Sequence, residues 1–123
     1  MSETVIASLF DDWNSALQRR DPNSVVALYA PDAILLPTVS NQVRHNHQEI
    51  ESYFVDFIAR GPSGKIDQSN IRLFDHLAIN SGVYTFSFDD QTEVQARYTF
   101  VYRRQGDRWM IIEHHSSKMP ESP

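Results

Sequence analysis

The chain has no cysteine. Its absence removes a disulfide framework, a thiolate zinc site and a cysteine nucleophile, and it suits a reducing compartment. Glycine is scarce, with 4 residues in 123, and neither a glycine-rich phosphate loop nor a nucleophile elbow is visible. Long apolar runs are missing too: none approaches the roughly 20 residues of a membrane span. The first residues, MSETVIASLFDDW, carry acidic groups and no basic leader region. A soluble cytoplasmic protein with no membrane partner is expected. Basic residues are the minority, 11 against 16 acidic, for a formal net charge of -5. A nucleic-acid binder shows the opposite balance or a basic stripe. Here Arg103, Arg104 and Arg108 cluster only around an apparent turn, which reads as a solvated hairpin. Nucleic acid is not an expected partner.

What is present is an ordered alternation of patterns. The length of 123 residues fits one domain, 1–123, with an ordered core expected over 3–118 and a fraying, proline-bounded tail from Met119. From Thr4 to Arg20, Val5, Leu9, Trp13, Ala16 and Leu17 recur at spacings of three and four, one apolar helix face. Ser2 or Thr4 can cap it. Asp21-Pro22 stops that helix and starts a short one, Asp21 as N-cap and Pro22 in the first turn, with Val25, Val26, Leu28 and Tyr29 as its apolar side. Residues 33–37 read as a strand whose proline belongs at an edge. A polar loop over 38–45 leads to a third helix, opened by Asn46 with Glu49 in a capping-box arrangement. Its apolar face is Ile50, Tyr53, Phe54, Phe57 and Ile58, and Gly61-Pro-Ser-Gly64 ends it.

The second half reads as strands over 66–74, 78–88, 93–104 and 108–117, the last three joined by tight turns. Helices first and an antiparallel meander after argue an α+β fold, with helices on one face of a curved sheet. The order of elements, and the segment ARYTFVYRRQGDRWMIIEHHSS over 96–117, resemble the calcium/calmodulin-dependent protein kinase II association-domain family of the nuclear transport factor 2-like (SnoaL-like, cystatin-like) superfamily. That family shows a strand, an Arg-Arg-like pair, a Gly/Asp turn, a Trp, and a strand ending in His and Ser. The resemblance implies a cone-like fold that self-associates as a homodimer or larger homo-oligomer and holds a pocket. Neither a kinase domain nor a basic calmodulin-target helix is expected in this sequence.

Regular alternation divides the last two strands by face. Tyr98, Phe100 and Tyr102, with Trp109 and Ile111, form a face too apolar for water. The resemblance assigns it, with His115, to a subunit interface; the alternative is that it packs on the protein's own helices. The other set, Arg97, Thr99, His114 and Ser116, is then expected in the cavity, joined by Tyr84, Tyr53 and Trp13. Arg97 would offer a planar fork to an anionic ligand, or pair with an internal acid. His114 is the candidate catalytic acid/base, with Asp12 and Asp56 as further candidate bases. His114 and His115 point to opposite faces of a strand, and His45, His47 and His76 have no recognised metal spacing, so no metal and no cofactor are expected. The functional expectation is a stand-alone association-domain-like protein with a cavity for a small polar or anionic ligand. The alternative is an isomerase, cyclase or dehydratase of the SnoaL-like type.

Overall fold

A computed structural model describes residues 3–38 and 40–120. Ser2, one of the two candidate caps of the first helix, and the end of the tail lie outside the described residues. The elements run α1 (Glu3–Gln18), α2 (Pro22–Val26), β1 (Tyr29–Leu36), α3 (His47–Ile58), β2 (Ser63–Phe74), β3 (Leu77–Ser87), β4 (Glu93–Gln105) and β5 (Arg108–Lys118). They form one five-stranded sheet in the order β1-β5-β4-β3-β2. β2 to β5 are an antiparallel meander, as their turns imply, but β1 lies parallel to β5 at the sheet edge. Pro31 sits in this edge strand, where a missing N–H is tolerated. β1 begins at Tyr29, earlier than expected, because α2 ends at Val26.

Local chemistry places each helix. Asp21 caps α2 by accepting a bond from the Asn23 N–H at 3.0 Å. Asn46 caps α3 by accepting from the Glu49 N–H at 2.9 Å, and the Glu49 carboxylate reaches back to the His45 N–H at 2.8 Å. Gly61, at φ 64°, ends α3 in the left-handed region that favours glycine. Gly106, at φ 63°, opens the two-residue turn between β4 and β5. α1 is tied to β2 by a reciprocal pair: the Asn14 amide donates to the Gly64 carbonyl at 3.1 Å, and the Gly64 N–H donates to Asn14 Oδ1 at 2.7 Å.

α1 buries Ile6, Phe10, Trp13, Ala16 and Leu17, whereas Val5 is 43% exposed. The buried stripe is thus rotated from the one expected: Ile6 and Phe10 replace Val5 and Leu9 while Trp13, Ala16 and Leu17 serve both. The helices cover one face of the sheet, and that face supplies Ala78, Tyr84, Phe86, Ala96, Tyr98, Phe100, Tyr102 and Ile111 to a single core cluster.

This corrects the expected face assignment. Tyr98, Phe100, Tyr102 and Ile111 are at most 3% exposed and pack under the protein's own helices, not on an outer face. Trp109 packs against the same cluster. Arg97 and Thr99 point the other way, Arg97 exposed and Thr99 half-buried. His114 and Ser116, however, join the aromatic face. The cause is a β-bulge. Tyr102 pairs with Ile111 but Val101 pairs with Glu113, so Ile112 is the extra residue. One extra residue reverses the alternation beyond it. Phe100 therefore faces His114, and Tyr98 faces Ser116. Of the expected interface set, only His115 is on the outer face, paired with Thr99 and exposed.

Candidate functional site

A narrow chamber opens between α3 and the inner sheet face, with a cavity volume of about 50 Å³. Its walls are aromatic: Trp13 from α1, Tyr53, Phe54 and Phe57 from α3, and Phe86 from β3, with Phe88 just beyond that strand. α3 projects Tyr53, Phe54 and Phe57 on one side because they stand at spacings of one, three and four. His114 and Ser116 of β5, Tyr84 of β3 and Thr38 after β1 supply its polar groups. Of the expected ligand residues, Trp13, Tyr53, Tyr84, His114 and Ser116 come together here; Arg97 and Thr99 do not. Sequence reasoning missed Thr38 and Arg60. Arg60 stands right after the apolar stripe of α3, a position that could have marked it.

The polar groups form one chain of bonds. The Trp13 indole can only donate, and it donates to the Tyr29 hydroxyl at 3.2 Å. Tyr29 then spends its own proton on His114 Nδ1 at 2.8 Å. That leaves the proton of His114 on Nε2, which donates to the Tyr84 hydroxyl at 3.2 Å. Tyr84 donates to Ser116 Oγ at 2.8 Å, and the Thr38 hydroxyl also bonds Ser116. Both imidazole nitrogens are occupied and the ring is neutral. It lies flat on Phe100, 4.0 Å between centroids, and edge-on to Trp13.

Burial sets the electrostatics. His114 is pushed down to about 3, first by desolvation and then by neighbouring His115. Desolvation also raises the phenols of Tyr29 and Tyr84 well above their ordinary range. The inner end of the chamber is thus polar but uncharged near neutral pH. Asp12 lines a separate small recess with Tyr102 and Trp109, and Asp56 is exposed on α3; among the described residues no carboxylate lines the chamber. Among the described residues no three His, Asp or Glu side chains converge as metal ligands, and no helix is long and apolar enough to cross a membrane.

At the mouth a second cavity, lined by Ser40, Arg44, Tyr53, Asp56, Phe57 and Arg60, shares Tyr53, Phe57 and Arg60 with the chamber. Arg60 lies over the Phe88 ring at 3.9 Å, and Arg44 stands 5.7 Å from the centre of the Tyr53 ring. His45 and His47 take no part: His45 pairs with Glu49, and His47 bonds the Tyr29 carbonyl at 2.7 Å.

Comparison with known proteins agrees with this architecture. The chain is 48% identical to a protein from Xanthomonas campestris, provisionally described as a calcium/calmodulin-dependent protein kinase II association domain. The match covers 98% of this chain and 90% of that one, with a TM-score of 0.95. A nuclear transport factor 2-like protein of unknown function from Pseudomonas putida KT2440 is 21% identical over 98% of this chain and 88% of its own, at a TM-score of 0.84. A Streptomyces avermitilis protein, provisionally described as a dehydratase of the nuclear transport factor 2-like family, is 15% identical over 94% of each chain, at a TM-score of 0.79. The last two share the fold alone. No curated protein matches the chain. Residues 2–120 match the calcium/calmodulin dependent protein kinase II association domain, and the chain belongs to that family, on the nuclear transport factor 2-like fold.

Proposed function

We propose that the protein is a non-catalytic, self-associating domain of the association-domain kind whose chamber holds a small ligand with an apolar body. The observation that carries the binding half is the chamber: aromatic on its walls, open at one end, and closed at the other by hydroxyl and imidazole groups that already satisfy one another. Apolar walls with a few placed polar groups are the ordinary make-up of a small-molecule site. Ser116, Thr38 and Tyr84 offer lone pairs to a ligand hydroxyl or amide. The self-associating half rests on the family and on the outer sheet face. There Ile79, Val83, Thr99, Val101 and Ile112 are half-buried and stand outside the core cluster that the helices cover, and this face replaces the aromatic one as the candidate interface.

The rival reading is an acid/base enzyme, and the Streptomyces avermitilis protein of the same fold keeps it in view. His114 in an apolar chamber would be its centre. Its depressed basicity, its two occupied nitrogens and the lack of a carboxylate among the chamber's lining residues all favour binding over proton transfer.

A thermal-shift screen of small aromatic acids, amides and alcohols tests the proposal, followed by the best compound against Val94→Trp. Val94 is half-buried on the chamber wall, and a larger ring there narrows the space without loading the deep core. Stabilisation by a compound in the wild type, lost in a folded Val94→Trp, is the expected result. No stabilising compound, or binding indifferent to Val94→Trp, would overturn it.

A further inference from the structure

We infer that the recess between α1 and the turn end of β4 and β5 is a binding site in its own right, for a primary alkylammonium group held by Tyr102, Asp12 and Trp109. It shares no lining residue with the chamber and does not depend on what the chamber binds. β4 and β5 supply Tyr102, Trp109 and Ile111 close to their turn, where Tyr102 pairs with Ile111 and Arg104 with Trp109. α1 supplies Leu9 and Asp12, which share a helix face at a spacing of three. Leu28, just after α2, completes the lining, and its carbonyl accepts the Ile111 N–H at 3.0 Å, which ties the two sides together.

The Tyr102 hydroxyl carries the argument. It is shut off from water and has no hydrogen-bond partner among the described residues, whereas buried hydroxyls as a rule have one. Its ring is fixed: it is 2% exposed and stacked on Phe100, 5.8 Å between centroids and 14° from parallel. Burial raises the phenol far above its ordinary range, and the fields of Tyr98 and Asp12 add to the rise, so the group is neutral. The only charge among the described lining residues is the carboxylate of Asp12. Asp32 and Asp89 each hold an arginine, at 3.1 and 2.8 Å. The Asp12 side chain makes no hydrogen bond or ion pair among the described residues. A primary ammonium answers both groups, since it donates to the phenol oxygen and pairs with the carboxylate. Tyr102 and Trp109 add aromatic rings, which attract a cation, and Leu9, Leu28 and Ile111 give the first methylenes an apolar wall. An anion would meet Asp12 with no basic side chain to offset it. The cavity volume, about 20 Å³, suits a single water-sized group, so an ammonium fits and a quaternary one does not.

Calorimetry on the whole chain at pH 7 with n-butylammonium, 1-butanol, tetramethylammonium and Nα-acetyl-lysine N-methylamide tests the inference. n-Butylammonium is expected to bind at one site, about tenfold tighter than 1-butanol, as a charge-assisted bond implies, and tetramethylammonium without measurable heat. Tyr102→Phe removes a hydroxyl that has no partner in the fold, so this variant should stay folded and lose about tenfold in affinity for the amine. Asp12→Asn, at an exposed position, should lose about fivefold. The lysine derivative distinguishes the source of the ammonium: tighter binding than n-butylammonium assigns the site to a lysine side chain, weaker binding to a free amine, and either supports the inference. No binding of n-butylammonium, equal binding of 1-butanol, or an affinity unchanged in both Tyr102→Phe and Asp12→Asn would overturn it.

Discussion

The Phe100 and His114 rings stack with their centroids 4.0 Å apart and their planes 20° from parallel, as directly paired residues of β4 and β5. The contact exists because Ile112 is an extra residue in β5. Without it His114 would stand opposite Thr99, on the outer face of the sheet. The bulge thus brings an imidazole into an aromatic core and fixes the inner end of the chamber.

His114 should impose an acid limit on stability. Its folded value, about 3, is below its ordinary 6.5, so the unfolded chain takes up the proton first. Its contribution is fully present above pH 6.5 and is lost as pH falls from there toward 3, with a slope approaching about 1.4 kcal/mol per pH unit. The carboxylates of Asp32, Glu49, Asp67 and Asp90 are also held low, from ordinary values of 3.8 to 4.5, so they add to the loss only below about pH 4.5, and the stretch from 6.5 to 4.5 isolates His114 from them. Urea midpoints measured across this range should therefore fall with pH in the wild type and fall less steeply in His114→Gln. Parallel curves would contradict the buried neutral imidazole.

Phe100 is fully buried. Phe100→Ala should lower stability by about 3–5 kcal/mol through the lost contacts and the cavity left behind. Phe100→Glu should abolish folding, since it buries an unpaired charge. Circular dichroism decides the matter: a folded, monomeric Phe100→Glu would return this ring to an interface.

Assembly should depend on the opposite face. Val101 is half-buried there, between Ile79 and Glu113 in the ladder. Light scattering is expected to give at least a dimer mass for the wild type and a monomer mass for a folded Val101→Glu. A monomeric wild type at micromolar concentration would remove self-association from the proposal.

Asn46→Ala removes the acceptor of the Glu49 N–H and should cost about 0.5–2 kcal/mol. The check is the urea midpoint at pH 7; an unchanged value would mean that the Glu49 carboxylate alone holds the start of α3.

Most of the elements were legible because their signals are local. Asp21-Pro22, Asn46 with Glu49, and the Gly61 stop act within one turn of chain: α2 begins where Asp21 requires and α3 begins and ends where Asn46 and Gly61 require, whereas α2 stops at Val26, ahead of the Leu28 and Tyr29 expected in it. The Gly106 turn likewise sets the first pairs of β4 with β5. The stripe of α1 was read less well. Val5 and Leu9 fit the helical period as well as Ile6 and Phe10, and only contact with the sheet selects between adjacent stripes.

By itself the sequence determined the α+β order, the antiparallel meander and an apolar set on β4 that had to be covered. Which surface covers it, and what shares its face, were decided by tertiary structure. Bulge position depends on how two strands meet the rest of the sheet: β5 is held between β4 on one side and parallel β1 on the other, and Leu35 and Leu36 register against His114 and His115. No composition or period in Ile111-Ile112-Glu113 marks that site, since two isoleucines in sequence fit either face. A single extra residue there moved His114 and Ser116 from beside Arg97 to beside Tyr84 and Trp13. It left Arg97 in solvent, where its charge is hydrated and needs no partner.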